Sequence, residues 1–220
     1  MSAVTPPEAP YDCQLCPRLV AYRQEIAEAE PTWHNGPVDS FGPETAKFLV
    51  VGMAPGRGGA NRTGRPFTGD GAGDLLFKAL LKHGFATGSY NKTPDDGLEL
   101  IDCMITNAVR CVPPQNKPTG AEANQCRPFL VSRIAHLPKL TLLMALGHIA
   151  HNNVLTTFGV KKTDYPFSHC AVHKIKLDGR KLTLINSYHC SRYNTNTGRL
   201  TEDMFDQVFE KIKTNLAANP

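Results

Sequence analysis

The sequence lacks an apolar run long enough to cross a membrane. Its longest run, Leu140 to Leu146, is interrupted by Thr141, whereas a membrane-spanning helix needs about 18 to 20 apolar residues. A membrane-spanning protein is therefore excluded, and no membrane partner is expected.

The chain also lacks a basic segment followed by an apolar one at its start, and its cysteines are odd in number. Its beginning does not read as a secretory signal. Seven cysteines in 220 residues argue against a disulfide scaffold, because such scaffolds pair their cysteines and belong to secreted chains. We expect a cytoplasmic protein.

Two nucleotide-binding motifs are missing from the glycine-rich loop that runs from Gly52 to Gly73. A P-loop requires a Gly-Lys-Ser/Thr triplet, and this loop contains no lysine. A dinucleotide fingerprint starting at Gly56 fails, because Asn61 stands where its third glycine belongs. A nucleotide cofactor is therefore not expected.

The charge is unevenly distributed along the chain. Residues 1–46 have a net charge of −5 and residues 201–220 a net charge of −2, whereas residues 47–160 and 161–200 carry +5 and +6. A basic middle of this kind fits a surface that binds a polyanion. A solvated surface of mixed charge is the alternative, and charge alone favours it.

Strand-like and helix-like segments alternate along the chain. Apolar runs predict strands at 48–51, 101–109, 140–146, 171–177 and 181–185, the last two forming a hairpin around Asp178 and Gly179. Helical spacing predicts helices at 19–29, 75–80, 121–137, 148–158 and 201–216, with Pro128 confining the regular part of the third to later residues. This alternation indicates an α/β layered sandwich, whose ligands bind beyond the carboxyl ends of the strands.

No linker divides the chain, so we expect one domain over residues 1–220, with residues 1–46 as an N-terminal arm. The glycine-rich loop carries the side chains that a nucleic-acid site needs: arginines for phosphates, Phe67 to stack on a base, and the carboxylate of Asp70. Phe67 has core packing as its structural alternative. Asp70 has the N-cap of the next helix, which position alone favours.

Four cysteines form two groups that are typical of a metal site. Cys13 and Cys16 make a Cys-x2-Cys pair, and Cys111 and Cys126 are separated by fourteen residues. Four thiolates can hold a tetrahedral zinc ion or an iron–sulfur cluster. The spacing leaves both metals open.

Four segments of the sequence resemble the family 5 (type B) uracil-DNA glycosylases. They are 52–56 (GMAPG), 61–70 (NRTGRPFTGD), 108–119 (AVRCVPPQNKPT) and 187–200 (SYHCSRYNTNTGRL). The resemblance covers nearly the whole chain, with these segments in order, and the second and fourth segments are specific. The resemblance implies a three-layer α/β/α sandwich around a mostly parallel sheet, and a DNA repair enzyme that flips uracil, with hypoxanthine as a further substrate, out of DNA and hydrolyses its N-glycosidic bond.

The resemblance also implies which residues act. It favours a [4Fe–4S] cluster on Cys13, Cys16, Cys111 and Cys126 over zinc. Met53 stands where family 4 enzymes have their acid, so the catalytic role passes to Asp70 and Asn116, with His189 as a donor to the uracil carbonyl. The base-binding candidates are Ala54, Gly56, Phe67 and Asn107, and the DNA-binding candidates are Arg62, Arg65, Lys117, Arg192, Tyr193 and Asn194.

The expected partner is uracil-containing DNA, double- or single-stranded, bound by a monomer. Two other functions stay open at this point. One is a non-catalytic iron–sulfur module that binds damaged or single-stranded DNA, and the other is a zinc-dependent hydrolase of small molecules.

Overall fold

The computed structural model describes residues 5–177 and 179–218. Its strands, in chain order, are β1 (Phe48–Gly52), β2 (Ala86–Thr87), β3 (Glu99–Leu100), β4 (Cys103–Asn107), β5 (Leu142–Leu146), β6 (Val172–Leu177) and β7 (Arg180–Ser187). Its α-helices are α1 (Pro17–Ala29), α2 (Ala60–Thr63), α3 (Gly71–Lys82), α4 (Gly120–Ala135), α5 (His148–Thr157), α6 (Arg192–Asn196) and α7 (Glu202–Ala217).

Five of the strands form one sheet in the order β4-β1-β5-β7-β6. The first four are mutually parallel and β6 is antiparallel to β7. Every residue of β1, β4 and β5 is buried, as expected for parallel strands that are covered on both faces. Because these strands run in one direction, the loops after β1, β4, β5 and β7 meet at one edge of the sheet.

Two apolar cores lie on opposite faces of this sheet. Phe48 and Val50 point into the core shared with α3 and α7, whereas Leu49 and Val51 point into the core shared with α4 and α5. Successive strand residues face opposite ways, so one five-residue strand supplies both cores. The predicted α/β/α layering is confirmed.

Helix α4 differs from the sequence prediction. It runs from Gly120 through Pro128 to Ala135 without interruption. A capping box fixes its start: the Thr119 hydroxyl accepts from the Glu122 N–H at 3.2 Å, and the Glu122 carboxylate accepts from the Thr119 N–H at 2.7 Å. The box stabilises the first turns enough to keep the residues before Pro128 helical.

Ion pairs between Glu8 and two buried arginines join the N-terminal arm to the rest of the chain. Glu8 pairs with Arg110, which is 1% exposed, at 3.0 Å and also with Arg133. Leu19 of α1 is buried in a third apolar cluster together with Phe129 of α4. The one-domain organisation over residues 1–220 stays a prediction. Residues 1–4 and 219–220, together with Asp178 of the predicted hairpin turn, lie outside the described residues.

Among the described residues, no helix is both long and apolar enough to span a membrane.

Candidate active site

A cavity of about 910 Å³ opens at the carboxyl edge of the sheet. The loops after β1, β4, β5 and β7 all contribute to its wall. It is lined by every residue that the sequence proposed for catalysis or base binding, namely Ala54, Gly56, Phe67, Asp70, Asn107, Asn116 and His189. Residues distant in sequence are thus brought to one place by the parallel strand order.

The two carboxylate oxygens of Asp70 have different surroundings. It is the N-cap of α3, with Oδ1 accepting from the Ala72 N–H at 3.0 Å. Oδ2 lies against the glycine turn of the loop, where a Cβ at Gly56 would come within 2.9 Å of it and a Cβ at Gly59 would overlap it. The N-cap role of Asp70 is therefore confirmed, and its second oxygen takes no part in the cap but lies against Gly56 and Gly59 in the wall of the cavity.

Phe67 is held in an unusual backbone conformation. Its φ is +56°, a region that bulky residues rarely adopt. The Tyr90 hydroxyl donates to the Phe67 carbonyl at 3.3 Å, and that carbonyl lies so close to Gly73 that no Cβ would fit there. Strain of this kind costs about 1 to 3 kcal/mol. The Phe67 ring is 8% exposed and belongs to the apolar core shared with α3 and α7, so core packing applies, and the ring also lines the cavity.

Asn107 ends β4 directly beside Gly52, its partner in the β1–β4 register. It is 2% exposed, and its Oδ1 has no hydrogen-bond partner in the described part of the chain. A side chain at Gly52 would overlap that oxygen and crowd the Phe67 ring at 2.7 Å. An unpaired buried amide oxygen is costly, and this one lies in the wall of the cavity.

His189 follows β7 and faces Phe67, with the ring centroids 6.1 Å apart. Burial lowers the pKa of His189, and the nearby Asp70 carboxylate only partly opposes that effect. The imidazole is therefore neutral at pH 7 and can donate one ring N–H. Next to it, burial raises the pKa of the Cys190 thiol to about 12, so Cys190 is a buried, protonated packing residue.

Asn116 approaches the cavity from an exposed turn. Gln115 and Asn116 both have a positive φ, +55° and +56°, and follow the two prolines Pro113 and Pro114. Such a turn is tightly constrained, because proline fixes φ and asparagine tolerates the left-handed region.

The DNA-binding candidates fall into two groups. Arg192 and Asn194 line the cavity, and the Asn194 amide donates to the His189 carbonyl at 2.8 Å. Tyr193 lies between them and is 72% exposed. Arg62 and Lys117 are exposed outside the cavity lining.

Arg65 is placed differently from the sequence expectation. It is 5% exposed and makes a two-pronged ion pair with Asp96 at 2.8 Å. Its guanidinium also lies over the rings of Phe41 and Phe77. The guanidinium is therefore not available to a DNA phosphate, and it acts as a buried anchor for the loop instead. Sequence could not separate Arg65 from Arg62, because both occupy the same motif.

The rim of the cavity contains residues that no sequence motif indicated. Ile149 at the start of α5 is 51% exposed, and Arg199 lies over the Tyr188 ring at 5.1 Å. The side chain of Arg192 passes so close to Gly71 that a Cβ there would collide with it. In the sequence, only the glycine at position 71, where α3 begins, indicated that another group approaches the backbone closely there.

The four cysteines proposed as ligands line one small cavity under the N-terminal arm. Cys126 Sγ accepts from the Arg110 backbone N–H at 3.2 Å. Burial raises the pKa of Cys111 to about 12 and that of Cys126 to about 11. Within the described ranges, no three or more His, Cys, Asp or Glu side chains are grouped so that they could hold a metal ion.

Comparison with known proteins identifies the family. Residues 40–213 match the uracil DNA glycosylase superfamily. The type-5 uracil-DNA glycosylase of Thermus thermophilus is 43% identical over 207 residues, covering 91% of this chain and 92% of that protein. The type-5 enzyme of Mycobacterium leprae is 40% identical, with 91% and 90% covered, and that of Mycobacterium bovis is 38% identical, with 91% and 77% covered. The resemblance drawn from the sequence motifs is confirmed, and the chain belongs to the type-5 uracil-DNA glycosylases of the uracil DNA glycosylase superfamily.

Proposed function

We propose that this protein removes uracil from DNA by hydrolysing the bond between the base and C1′ of the deoxyribose. One observation carries the proposal: a carboxylate, an aromatic ring and an unpaired buried amide line one cavity at the carboxyl edge of the sheet. The cavity opens on the side where Arg192 and Tyr193 are exposed. These are the groups needed to receive a nucleotide that has left the helix.

Base capture depends on Phe67 and Asn107. The Phe67 ring offers a face for the uracil to stack on, a contact worth about 1 to 3 kcal/mol. The Asn107 amide pairs with the edge of the pyrimidine and satisfies an oxygen that has no partner in the described part of the free protein. Because both side chains are held by their neighbours before the base enters, little order is lost on binding.

Bond cleavage leaves positive charge on the sugar and an electron pair on the base. The cavity-facing oxygen of Asp70 stabilises the sugar cation and, with Asn116, positions the water whose oxygen attacks C1′. As the new C–O bond forms, the proton of that water passes to the Asp70 carboxylate. The N-glycosidic electron pair goes to the uracil, which leaves as an anion and takes up a proton, so that the products are free uracil and an abasic site. The neutral His189 ring donates its N–H to the carbonyl where the negative charge collects, as donors do in an oxyanion hole.

The outer contacts hold the DNA strand around the everted nucleotide. Arg62, Lys117 and Arg192 supply charge for phosphates, and Asn194 fixes the loop that carries His189. The exposed ring of Tyr193 fills the space that the base leaves in the stack. A monomer suffices for this arrangement, because one chain supplies all of these groups.

The second part of the proposal is a [4Fe–4S] cluster on Cys13, Cys16, Cys111 and Cys126. The described chain supports it in two ways: the four thiols share one cavity, and a backbone N–H already points at one sulfur. When bound, the cluster supplies a cross-link between the N-terminal arm and the loop after β4.

The activity is tested with four kinds of duplex, which contain uracil opposite G, uracil opposite A, hypoxanthine, or xanthine. After incubation, alkali cleaves the strand at each abasic site. Uracil strands are expected to break, and the accepted bases define the substrate range. Binding of these duplexes without strand cleavage would favour the non-catalytic module instead.

The cluster is tested by iron and sulfide analysis of the purified protein. Four irons per chain and a brown colour are expected, and a colourless zinc protein would overturn the cluster. Cys126→Ser should lose the iron, whereas Cys170→Ser should keep it, because Cys170 does not line the cysteine cavity.

A further inference from the structure

An aromatic surface borders the cavity on the side of the N-terminal arm. It consists of Tyr11, Trp33 and His34 together with Arg57, and we call it the aromatic ridge. Tyr11 is 64% exposed, the second largest exposure among the large apolar side chains of the described chain. Trp33 is the single tryptophan of the protein. Neither Tyr11 nor Trp33 lines the cavity, and the mechanism above uses neither.

The exposed ring of Tyr11 is fixed in place by several contacts. Its hydroxyl donates to the His34 carbonyl at 2.7 Å, and its backbone carbonyl accepts from the buried Arg23 at 3.1 Å. The ring packs edge-on against His34 with centroids 5.6 Å apart. Gly36 lies directly beneath it, where a Cβ would overlap the ring. A large side chain that is both exposed and rigid has already lost the entropy that binding would otherwise cost.

The ridge is continuous with the cavity through Arg57. The Arg57 guanidinium lies 5.8 Å from the centre of the Trp33 ring, and Arg57 is also part of the cavity wall. His34 is joined to the glycine-rich loop as well, since its backbone N–H donates to the Arg62 carbonyl at 3.0 Å. The ridge is therefore joined to the cavity wall at Arg57, and the two exposed arginines Arg57 and Arg62 accompany it.

Aromatic faces next to arginines are the features that bind single-stranded nucleic acid without sequence preference. The bases of a duplex are already stacked on one another, so they cannot stack on a rigid aromatic surface. Paired DNA can therefore contact the ridge only through its phosphates and the neighbouring arginines. We infer that the aromatic ridge binds the unpaired strand that carries the uracil, with bases stacking on Tyr11 and Trp33 and with Arg57 and Arg62 taking phosphates. This inference rests on the proposed function, because it takes the cavity to be the place of the everted nucleotide.

The test uses the fluorescence of Trp33, excited at wavelengths that tyrosine does not absorb. Single-stranded DNA long enough to leave the cavity should quench this fluorescence, whereas a trinucleotide that fills only the cavity should not. Binding is followed in parallel by the anisotropy of a labelled strand. Saturated binding without a change in Trp33 fluorescence would overturn the inference.

Variants separate stacking from damage to the arm. Tyr11→Ser should weaken binding of single-stranded DNA by about 5- to 100-fold, the loss expected for one stacked base, and should change duplex binding less than about twofold. Tyr11→Phe keeps the ring and should bind like the wild type. Ile101→Ser, which removes another exposed apolar side chain far from the ridge in sequence, is the matched control.

The two hypotheses fail in different ways. If Tyr11→Ser weakens both forms of DNA equally, or neither, the ridge does not bind unpaired bases, even though wild-type protein releases uracil. If the wild type releases no uracil from any strand, the proposed function fails, while Trp33 quenching by single-stranded DNA would still support the ridge.

Discussion

Asp70 and Gly59 lie in direct contact across the glycine-rich loop. The carboxylate oxygen that does not cap α3 occupies the space where a side chain at position 59 would begin. A hydrogen bond from the Ala72 N–H thus fixes one carboxylate oxygen of Asp70, and the other oxygen can take its position only because Gly59 has no Cβ.

Replacing Asp70 with Asn should separate catalysis from folding. The amide oxygen can still accept from the Ala72 N–H, so the stability should stay nearly unchanged. Uracil excision should fall by about 10² to 10⁴-fold, because the charge that stabilises the sugar cation is lost. Single-turnover rates and duplex affinity are the measurements. Asp70→Ala should also lose about 1 kcal/mol of stability, because the helix loses its cap. A wild-type rate in Asp70→Asn would show that another residue supplies the catalytic carboxylate.

Gly59→Ala should impair catalysis with Asp70 intact. The new methyl group must push the carboxylate out of place, and a displacement of about 1 Å can cost roughly 10²-fold in rate. Gly58→Ala is the matched control, since a Cβ there meets nothing within 4 Å. Equal rates in both variants would show that the contact between Gly59 and Asp70 does not orient the carboxylate for catalysis.

Arg62 and Arg65 should behave oppositely when each is changed to Gln. Arg62→Gln should lower the slope of log affinity against log salt by about 1 and leave stability unchanged. Arg65→Gln should leave the slope unchanged and cost about 3 to 5 kcal/mol, because it strands the buried carboxylate of Asp96. Salt titrations and urea unfolding distinguish the two, and a lower salt slope in a stably folded Arg65→Gln would reverse their roles.

The Arg65 pair should also govern stability in acid. The Arg65 guanidinium lowers the pKa of Asp96 to about 2 from an ordinary value of 3.8. A lowered carboxyl pKa stabilises the folded state above the unfolded pKa, and this stabilisation is lost as the pH falls from about 4 through 2. Unfolding free energies of Asp96→Asn should therefore depend less on pH than those of the wild type in this range.

Buried histidines should make the protein less stable below neutral pH. Burial lowers the pKa of His151, His169 and His189. The unfolded chain then takes up protons from about pH 6.5, before the folded chain does. Stability should be highest above that pH and should fall as the pH drops below it. Urea unfolding between pH 7.5 and 5.5 measures this, and a stability that rises on acidification would contradict it.

Much of the fold could be predicted because the evidence for it is local. The all-apolar run of β1 and the apolar stripe of α7 each identify their element without knowledge of the rest. The two-residue strands β2 and β3 could not be found in this way, since two residues show no periodicity. Pro128 misled the prediction of α4, because the capping box that overrides it acts through a pair of hydrogen bonds rather than through composition.

The candidate site was predictable as a set of residue types but not as a geometry. Motifs identified Asp70, Asn107 and His189, and the structure brings them to one cavity. They could not show that Arg65 turns inward to Asp96, or that Gly59 and Gly71 make room for Asp70 and Arg192. Such close approaches depend on where separate loops meet, which no single segment records.

The volume of the cavity has a consequence for how this protein chooses its substrate. A space of about 910 Å³ is in the range that accommodates a whole drug-sized molecule, and it includes the rim formed by Ile149 and Arg192. The overall volume of the cavity therefore does not by itself exclude the larger bases. On the proposed function, discrimination against the normal bases then falls to the pattern of donors and acceptors along the base edge, which Oδ1 of Asn107 would read.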